Sequence, residues 1–240
     1  MNQNQVETHS TAQSIILHLL PGILIGLFYF LIRPTVNNFG YPAIFALVLA
    51  VVFILIPTEL GYLLYQGKKR TGRFTLKGII NYKNSIPWWQ YLIWVLMVFG
   101  AIGILFNLLK PVEGVLKVKL FFWIPDLDNG LDGNYSRTIL TVTYSLYLLF
   151  IVILGPLVEE LYFRGYLLPR MKGRFAIFFH SFLFAAYHTF TPWMIISRTV
   201  GFLPLILAVK KKSICIGMIV HILCNSIDLI TAVVFIANMT

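Results

Sequence analysis

The chain has very few charged residues for its length. Of its 240 residues, 12% are Asp, Glu, Lys or Arg, whereas 58% are hydrophobic. A soluble domain of this size needs a much larger polar surface, so the composition excludes one and predicts an all-α, polytopic transmembrane helical bundle. The apolar runs follow one another with short gaps, which favours one integral bundle over separate domains.

Cysteines and acidic residues are also scarce. Cys215 and Cys224 lie together in the last apolar run, which excludes a disulfide framework and a cysteine-rich zinc site. The net charge is +10, and the basic residues fall in short connections between apolar runs. They therefore indicate membrane orientation and contact with anionic lipid, and nucleic acid is not an expected partner. No pattern indicates an oligomeric state.

Seven apolar runs are long enough to cross the roughly 30 Å of bilayer hydrocarbon. They cover residues 14–32, 41–66, 88–109, 138–158 (continuing towards 170), 175–191, 193–209 and 213–238. Counting the segment 156–171 as a separate helix gives eight. We divide the chain into a short tail (1–13), N-terminal spans with a loop (14–137), and a C-terminal core (138–238).

The distribution of charge between the runs predicts how the chain lies in the membrane. Residues 67–85, 170–174 and 210–212 are basic, whereas most acidic residues outside the spans fall in 110–135. The positive-inside rule then predicts a cytoplasmic N-terminus, cytoplasmic basic connections and an outside loop at 110–135. The compact chain and lysine-rich connections favour a bacterial cell membrane.

A charged cluster interrupts the fourth apolar run, in the segment GPLVEELYFRG (155–165). Ionisable residues inside spans are costly and usually face the bundle interior, where they serve a function. Glu160 and Arg164 are four residues apart, so they share a helix face and can pair. Glu59 in the second run is interpreted as structural, and His180 and Arg198 as packing residues.

Two histidines lie at a depth similar to that of Glu159. Glu159, His188 and His221 are each about 9 to 14 residues from the nearest basic connection, or about 13–21 Å along a helix. Asn225 follows His221 by one turn and can present its amide on the same face, as an oxyanion site requires. Asp228 extends that face and is a candidate for orienting His221 or Asn225. These spacings predict a shared interior site.

Three motifs give the C-terminal core a family resemblance. EELYFR (159–164) resembles an EExxxR motif, FAAYH (184–188) an FxxxH motif and HILCN (221–225) an HxxxN motif. In this order and at these intervals, the three resemble the CPBP family of intramembrane proteases. That family comprises the CAAX prenyl endopeptidases and the bacteriocin-processing, or Abi, proteases. The resemblance covers roughly residues 138–235.

The resemblance implies an endopeptidase that cleaves a membrane-associated peptide or protein, with an active-site mouth on the cytoplasmic side. Glu159 with His188 would activate the attacking water, and His221 with Asn225 would stabilise the oxyanion. Glu160 and Arg164 would hold the site together. The implied roles are peptide maturation, signalling, bacteriocin immunity or CAAX-type processing.

The residues leave the use of a metal open. Glu159, His188 and His221 would suffice as ligands of a catalytic zinc ion with a bound water. The compact HExxH signature is absent, however, and Asn225 suits an oxyanion site better than a metal site. Both a zinc metalloprotease and a metal-free, glutamate-dependent protease remain hypotheses, and the second is favoured.

Two other classes of function also remain. A non-catalytic scaffold or immunity protein could keep these motifs for structure, although an intact Glu–His–His–Asn set argues against it. A proton-coupled transporter could use Glu59, the Glu159–Glu160 pair and the histidines as a relay, but no inverted repeat is present. The chain lacks a GxSG motif, and Asp228 is its single intramembrane Asp, which disfavours rhomboid-like and presenilin-like chemistry.

Overall fold

The computed structural model describes residues 7–80 and 85–239. Within these residues all regular secondary structure is helical, which confirms the all-α class. Residues 1–6 of the predicted tail and Lys83 of the first basic connection lie outside the described residues.

Eight helices make up the described bundle. They are α1 (Thr11–Asn38), α2 (Ile44–Thr71), α3 (Trp88–Lys119), α4 (Arg137–Arg170), α5 (Ala176–Tyr187), α6 (Pro192–Gly201), α7 (Leu203–Lys211) and α8 (Ile214–Ala237). Five of them are long and apolar enough to cross a membrane, and the bent pair α6–α7 brings the number to six.

The seven predicted runs coincide with these helices, but the fifth and sixth have a different form. α5 has 12 residues, about 18 Å, which is too short to cross the hydrocarbon core alone. It ends at Tyr187, and Pro192 begins the next helix. A proline disfavours helical backbone at the residue before it, so the apolar run is interrupted here. α6 and α7 then meet at an angle of 42°.

α4 is one continuous helix, so the alternative count with 156–171 as a separate helix does not apply. It passes Gly155–Pro156 because π-helical segments, Leu148–Leu154 and Glu160–Leu167, lie on either side. A third such segment, Val51–Leu60, contains Pro57 in α2. The wider turns accommodate prolines that cannot donate a backbone hydrogen bond, and such segments are frequent at functional sites.

The predicted outside loop is shorter than expected because α3 continues to Lys119. Asp128 in the remaining connection bonds to the start of α2, because its carboxylate accepts a hydrogen bond from the Ala43 amide (3.3 Å). The same carboxylate accepts hydrogen bonds from the Gly130 amide (2.8 Å) and the Tyr135 hydroxyl (3.1 Å) within the connection. We call this side of the bundle the acidic end, and the side with residues 72–80, 171–175 and 210–213 the basic end. α1 starts at the basic end, where the His9 amide donates to the Arg170 carbonyl.

Close helix approach in the core depends on glycine. A Cβ atom at Gly22 in α1 would collide with the backbone carbonyl of Tyr187 in α5. A Cβ atom at Gly217 in α8 would lie 2.5 Å from Oε2 of Glu160 in α4. These two glycines let α1 and α8 come close to the charged segment of α4 and to the end of α5, which is where the polar residues converge.

Candidate active site

An imidazole lies between two adjacent carboxylates at the centre of the bundle. Nε2 of His221 is 3.5 Å from Oε2 of Glu159, and Nδ1 is 3.1 Å from Oε1 of Glu160. A neutral imidazole donates one hydrogen bond, whereas an imidazolium can donate to both acids. α4 and α8 thus bring together groups 61 or more positions apart in the chain, as the matched depths predicted.

The two glutamates have different surroundings. Glu160 is fully buried, and its Oε1 forms an ion pair with Nη1 of Arg164 at 3.1 Å. The Arg164 guanidinium lies 3.8 Å from the centre of the Phe184 ring, and none of its nitrogens has a hydrogen bond to a described residue. The contact is therefore an ion pair without aligned N–H groups, combined with cation–π stacking. Glu159, by contrast, lines a cavity.

Tyr187 joins a second buried carboxylate to Glu159. Its hydroxyl lies 2.8 Å from Oε1 of Glu59 and 3.2 Å from Oε1 of Glu159. Sequence reasoning did not select Tyr187, and it interpreted Glu59 as structural. The available signals were the position of Tyr187 next to His188 and the presence of an acid in the apolar run of α2.

His188 has one ring nitrogen engaged and the other without a described partner. Its Nδ1 is 2.9 Å from the Phe184 carbonyl oxygen. Because a carbonyl oxygen only accepts, Nδ1 carries the hydrogen, and in the neutral ring Nε2 then has a free lone pair. His188 lines the same cavity as Glu159, and no hydrogen bond or ion pair joins the two in the described part of the chain.

Asn225 has a local structural role as well as its predicted one. Its Nδ2 donates to the carbonyl oxygen of Ile151 at 2.9 Å. In the π-helical segment each backbone amide donates to the carbonyl five residues earlier, as the Gly155 amide does to the Phe150 carbonyl. The carbonyl of Ile151 would therefore need the backbone amide of Pro156 as its donor. Proline has none, so Asn225 supplies the missing donor and keeps one amide hydrogen for another acceptor.

Asp228 does not make the contacts expected of an orienting group. Within residues 7–80 and 85–239 it has no hydrogen bond and no ion pair, either with His221 and Asn225 or with any other side chain. It lines the cavity instead. The structure therefore brings Glu159, His188, His221 and Asn225 to one cavity and leaves Asp228 further along its wall.

The cavity has a volume of about 640 Å³ and a mostly apolar wall. It runs from Glu159 and His221 towards the acidic end, where Leu127 and Asn129 contribute to its lining. On the basic side the buried residues of Glu160–Leu167 fill the space. The sequence placed the active-site mouth at the cytoplasmic, basic side, whereas the cavity extends in the opposite direction.

The described residues do not fit a zinc site. No group of three or more His, Cys, Asp or Glu side chains among them is arranged to hold a metal ion. Both nitrogens of His221 face carboxylates, and among the described residues His188 forms no hydrogen bond or ion pair with Glu159 or Glu160. The predicted ligand set of Glu159, His188 and His221 is therefore not assembled as a triad.

His180 and Arg198 make contacts typical of packing residues. Nδ1 of His180 lies 2.9 Å from Nε2 of His18, which joins α5 to α1 away from the cavity. Nη1 of Arg198 donates to the hydroxyl (2.7 Å) and the carbonyl oxygen (3.1 Å) of Thr191. Arg198 also lines the cavity, so its remaining N–H groups are near any bound ligand.

One family model matches the part of the chain that contains these site residues. Residues 141–227 match the family model described as "Type II CAAX prenyl endopeptidase Rce1-like". This part of the chain is similar to Rce1-like domains. The match confirms the resemblance to CPBP intramembrane proteases. It spans the segment from α4 to α8 that holds Glu159, His188, His221 and Asn225, and it ends one residue before Asp228.

The Rce1-like domain and the apolar helices together indicate a multi-pass membrane protease that acts on a membrane-associated peptide or protein. α1, α2 and α3 all lie before the matched segment, so Glu59 belongs to the part of the chain outside the Rce1-like match. No curated protein and no solved structure matches the chain.

Proposed function

We propose that the chain hydrolyses a peptide bond inside the membrane with a water molecule activated by Glu159 and His188. The observation that carries this proposal is the single cavity lined by Glu159, His188, His221 and Asn225 within the Rce1-like domain. A carboxylate and a free imidazole lone pair that line one cavity are groups that general-base hydrolysis can use. The apolar wall limits the number of water molecules that reach them.

The atoms of the reaction have defined places in this scheme. The lone pair at Nε2 of His188 accepts a hydrogen bond from the water and orients it. Glu159 takes the other proton of the water, and the resulting hydroxide attacks the peptide carbonyl carbon to give a tetrahedral oxyanion. The unused amide hydrogen of Asn225 donates to that oxyanion. Once Glu159 holds the proton from the water, the N–H group at Nε2 of His221 is released from the carboxylate and donates to the oxyanion as well. The C–N bond then breaks as the proton held by Glu159 passes to the leaving amine. Glu160 and Arg164 act indirectly, because they hold Nδ1 of His221.

The scheme is metal-free, in line with the donor geometry. His221 is enclosed by two carboxylates, and Asn225 is bonded to a backbone carbonyl. The remaining imidazole, that of His188, has one nitrogen committed to the Phe184 carbonyl. A catalytic zinc would need these groups to rearrange into a shared ligand set with an open position.

The test compares cleavage products from membranes of cells that express the wild type, Glu159→Gln or His188→Ala. We expect at least one peptide product, detected by mass spectrometry, to disappear in both variants while the amount of membrane-inserted protein stays the same. Asp132→Asn, in the exposed connection at the acidic end, is the control and should keep the product. Unchanged products in both variants, or a phenotype seen only as ion flux, would favour a scaffold or a transporter.

The proposed orientation places the basic connections in the cytoplasm and the acidic end outside. The cavity would then extend from the reactive groups towards the outer half of the membrane. Single cysteines at Lys69 and Asn129, in a background with Cys215 and Cys224 replaced by Ser, test this with a membrane-impermeant thiol reagent. We expect labelling of intact cells at position 129 only; labelling at position 69 only would reverse the orientation.

A further inference from the structure

Asp228 is an intramembrane carboxylate that lacks a protein partner. It lies in α8 two turns beyond His221, faces the cavity, and has no hydrogen bond or ion pair with a described residue. A carboxylate within a span is costly unless a partner compensates it. The proposed peptide chemistry does not use Asp228, so its position needs another explanation.

The surroundings of Asp228 attract positive charge. Its electrostatic neighbours are Tyr144 and Tyr147 of α4. The Tyr144 hydroxyl donates to the Asn129 carbonyl oxygen at 2.8 Å, so its hydrogen is committed away from Asp228. Tyr147 and Asn129 line the same cavity as Asp228. Aromatic faces and carbonyl oxygens both favour a cation next to a carboxylate.

The chain itself does not supply that cation. Arg198 is the one Lys or Arg side chain among the described cavity-lining residues. It is held by Thr191, and its carboxylate neighbours are Glu113 and Glu159. The part of the cavity around Asp228 is therefore left with an uncompensated negative charge that a ligand can meet.

We propose that Asp228 and Tyr147 form a subsite for a positively charged group of the peptide substrate, either a Lys or Arg side chain or an N-terminal ammonium. This inference rests on the proposed endopeptidase function. Asp228 follows His221 by seven residues, about 10 Å along the helix. An extended peptide rises about 3.3 Å per residue, so the cationic group lies about three residues from the scissile bond.

The first test measures selectivity in cleavage by the purified full-length protein in lipid nanodiscs. The probes are N-acetylated, internally quenched apolar decapeptides that carry one lysine at successive positions, and matched peptides with norleucine there. We expect the wild type to prefer the best lysine peptide in kcat/KM, and Asp228→Asn to reduce the lysine-to-norleucine ratio about tenfold or more. Thr231→Ala, one turn further along α8 and outside the cavity lining, should keep the wild-type ratio.

The charge of the subsite can also be reversed. Asp228→Lys should reverse the preference, so that matched peptides with glutamate in place of lysine are cleaved faster than the lysine peptides. An Asp228→Asn variant that loses activity equally on all peptides, or keeps the lysine preference, would overturn the proposal. A decapeptide without lysine, compared with and without N-terminal acetylation, separates a side-chain cation from an N-terminal ammonium. Faster cleavage of the non-acetylated form is expected only if the subsite binds the N-terminal ammonium.

A binding measurement keeps the subsite testable if no decapeptide is cleaved. In the Glu159→Gln background, fluorescence anisotropy of labelled lysine and norleucine peptides should give tighter binding of the lysine peptide. Adding Asp228→Asn should abolish that difference. Lysine-selective binding without any cleavage would retain the subsite and refute the proposed hydrolysis, whereas cleavage without lysine selectivity would retain hydrolysis and refute the subsite.

Discussion

Replacing Tyr187 by Phe should slow the reaction without preventing substrate binding. The Tyr187 hydroxyl is within reach of one oxygen of Glu59 and one of Glu159, and all three side chains are buried. A hydroxyl donates one hydrogen bond, so it cannot donate to both acids at once. Glu159 can stay ionised if Glu59 is protonated. Glu59 then donates its hydrogen to the Tyr187 oxygen, and the Tyr187 hydroxyl donates its own hydrogen to Glu159.

The size of the effect follows from this chain of hydrogen bonds. A hydrogen bond to a charged group contributes about 1.5–3 kcal/mol, and 1.36 kcal/mol changes a rate tenfold. The 3.2 Å contact of Tyr187 with Glu159 is long for an O–H···O bond, so the lower part of this range applies. We therefore expect Tyr187→Phe to reduce kcat about tenfold, with KM little changed, because the hydroxyl positions Glu159 and does not bind the peptide.

Steady-state kinetics on a cleaved peptide, together with a thermal unfolding curve, test this reasoning. Glu59→Gln should also reduce kcat, and the double variant should lose little more than either single variant, because the two residues act as one unit. Tyr162→Phe is the matched control. It removes an equally buried hydroxyl, bonded to the Leu17 carbonyl at 2.7 Å, and should lower stability while kcat is retained. Full kcat in Tyr187→Phe, or additive losses with Glu59→Gln, would refute the relay.

Two further predictions concern the charges around His221. A strong zinc chelator should leave the cleavage rate of the purified protein unchanged, because the described donors do not form a ligand triad; inhibition that added zinc restores would contradict this. Arg164→Met should lower the free energy of unfolding by about 3–5 kcal/mol, because Glu160 would stay buried after losing its ion pair with Arg164. In chemical unfolding, the double variant with Glu160→Gln should recover part of that loss. No recovery in the double variant would mean that Arg164 acts through packing on Phe184 alone.

The sequence was sufficient to predict the helical class and the proximity of Glu159 and His221. Hydrophobic runs located every helix of the bundle, because apolar length is a direct requirement of crossing lipid. Matched distances from the basic connections predicted that Glu159 and His221 meet, and their side chains lie 3.5 Å apart. That prediction worked because helical rise converts residue number into depth with little ambiguity.

Other features depend on side-chain packing that no single segment encodes. The link from Glu59 to Tyr187 joins α2 to α5, and periodicity says nothing about which faces of those two helices meet. The direction of the cavity depends on the packing of Glu160–Leu167, whose buried residues fill the basic side. The shortness of α5 depends on the turn between Tyr187 and Pro192, which interrupts the predicted run before its end.

The adjacent glutamates have different tasks because successive helical residues point about 100° apart. That rotation turns Glu159 towards the cavity and Tyr187, and Glu160 towards Arg164 and α8. The π-helical segment begins at Glu160, so the backbone changes its winding at the boundary between the two residues. His221 contacts both acids and couples them. The buried ion pair of Glu160 with Arg164 therefore fixes the His221 imidazole, which in turn contacts Glu159. In this way Glu160, with a structural role, and Glu159, with the proposed reactive role, can be neighbours in one apolar helix.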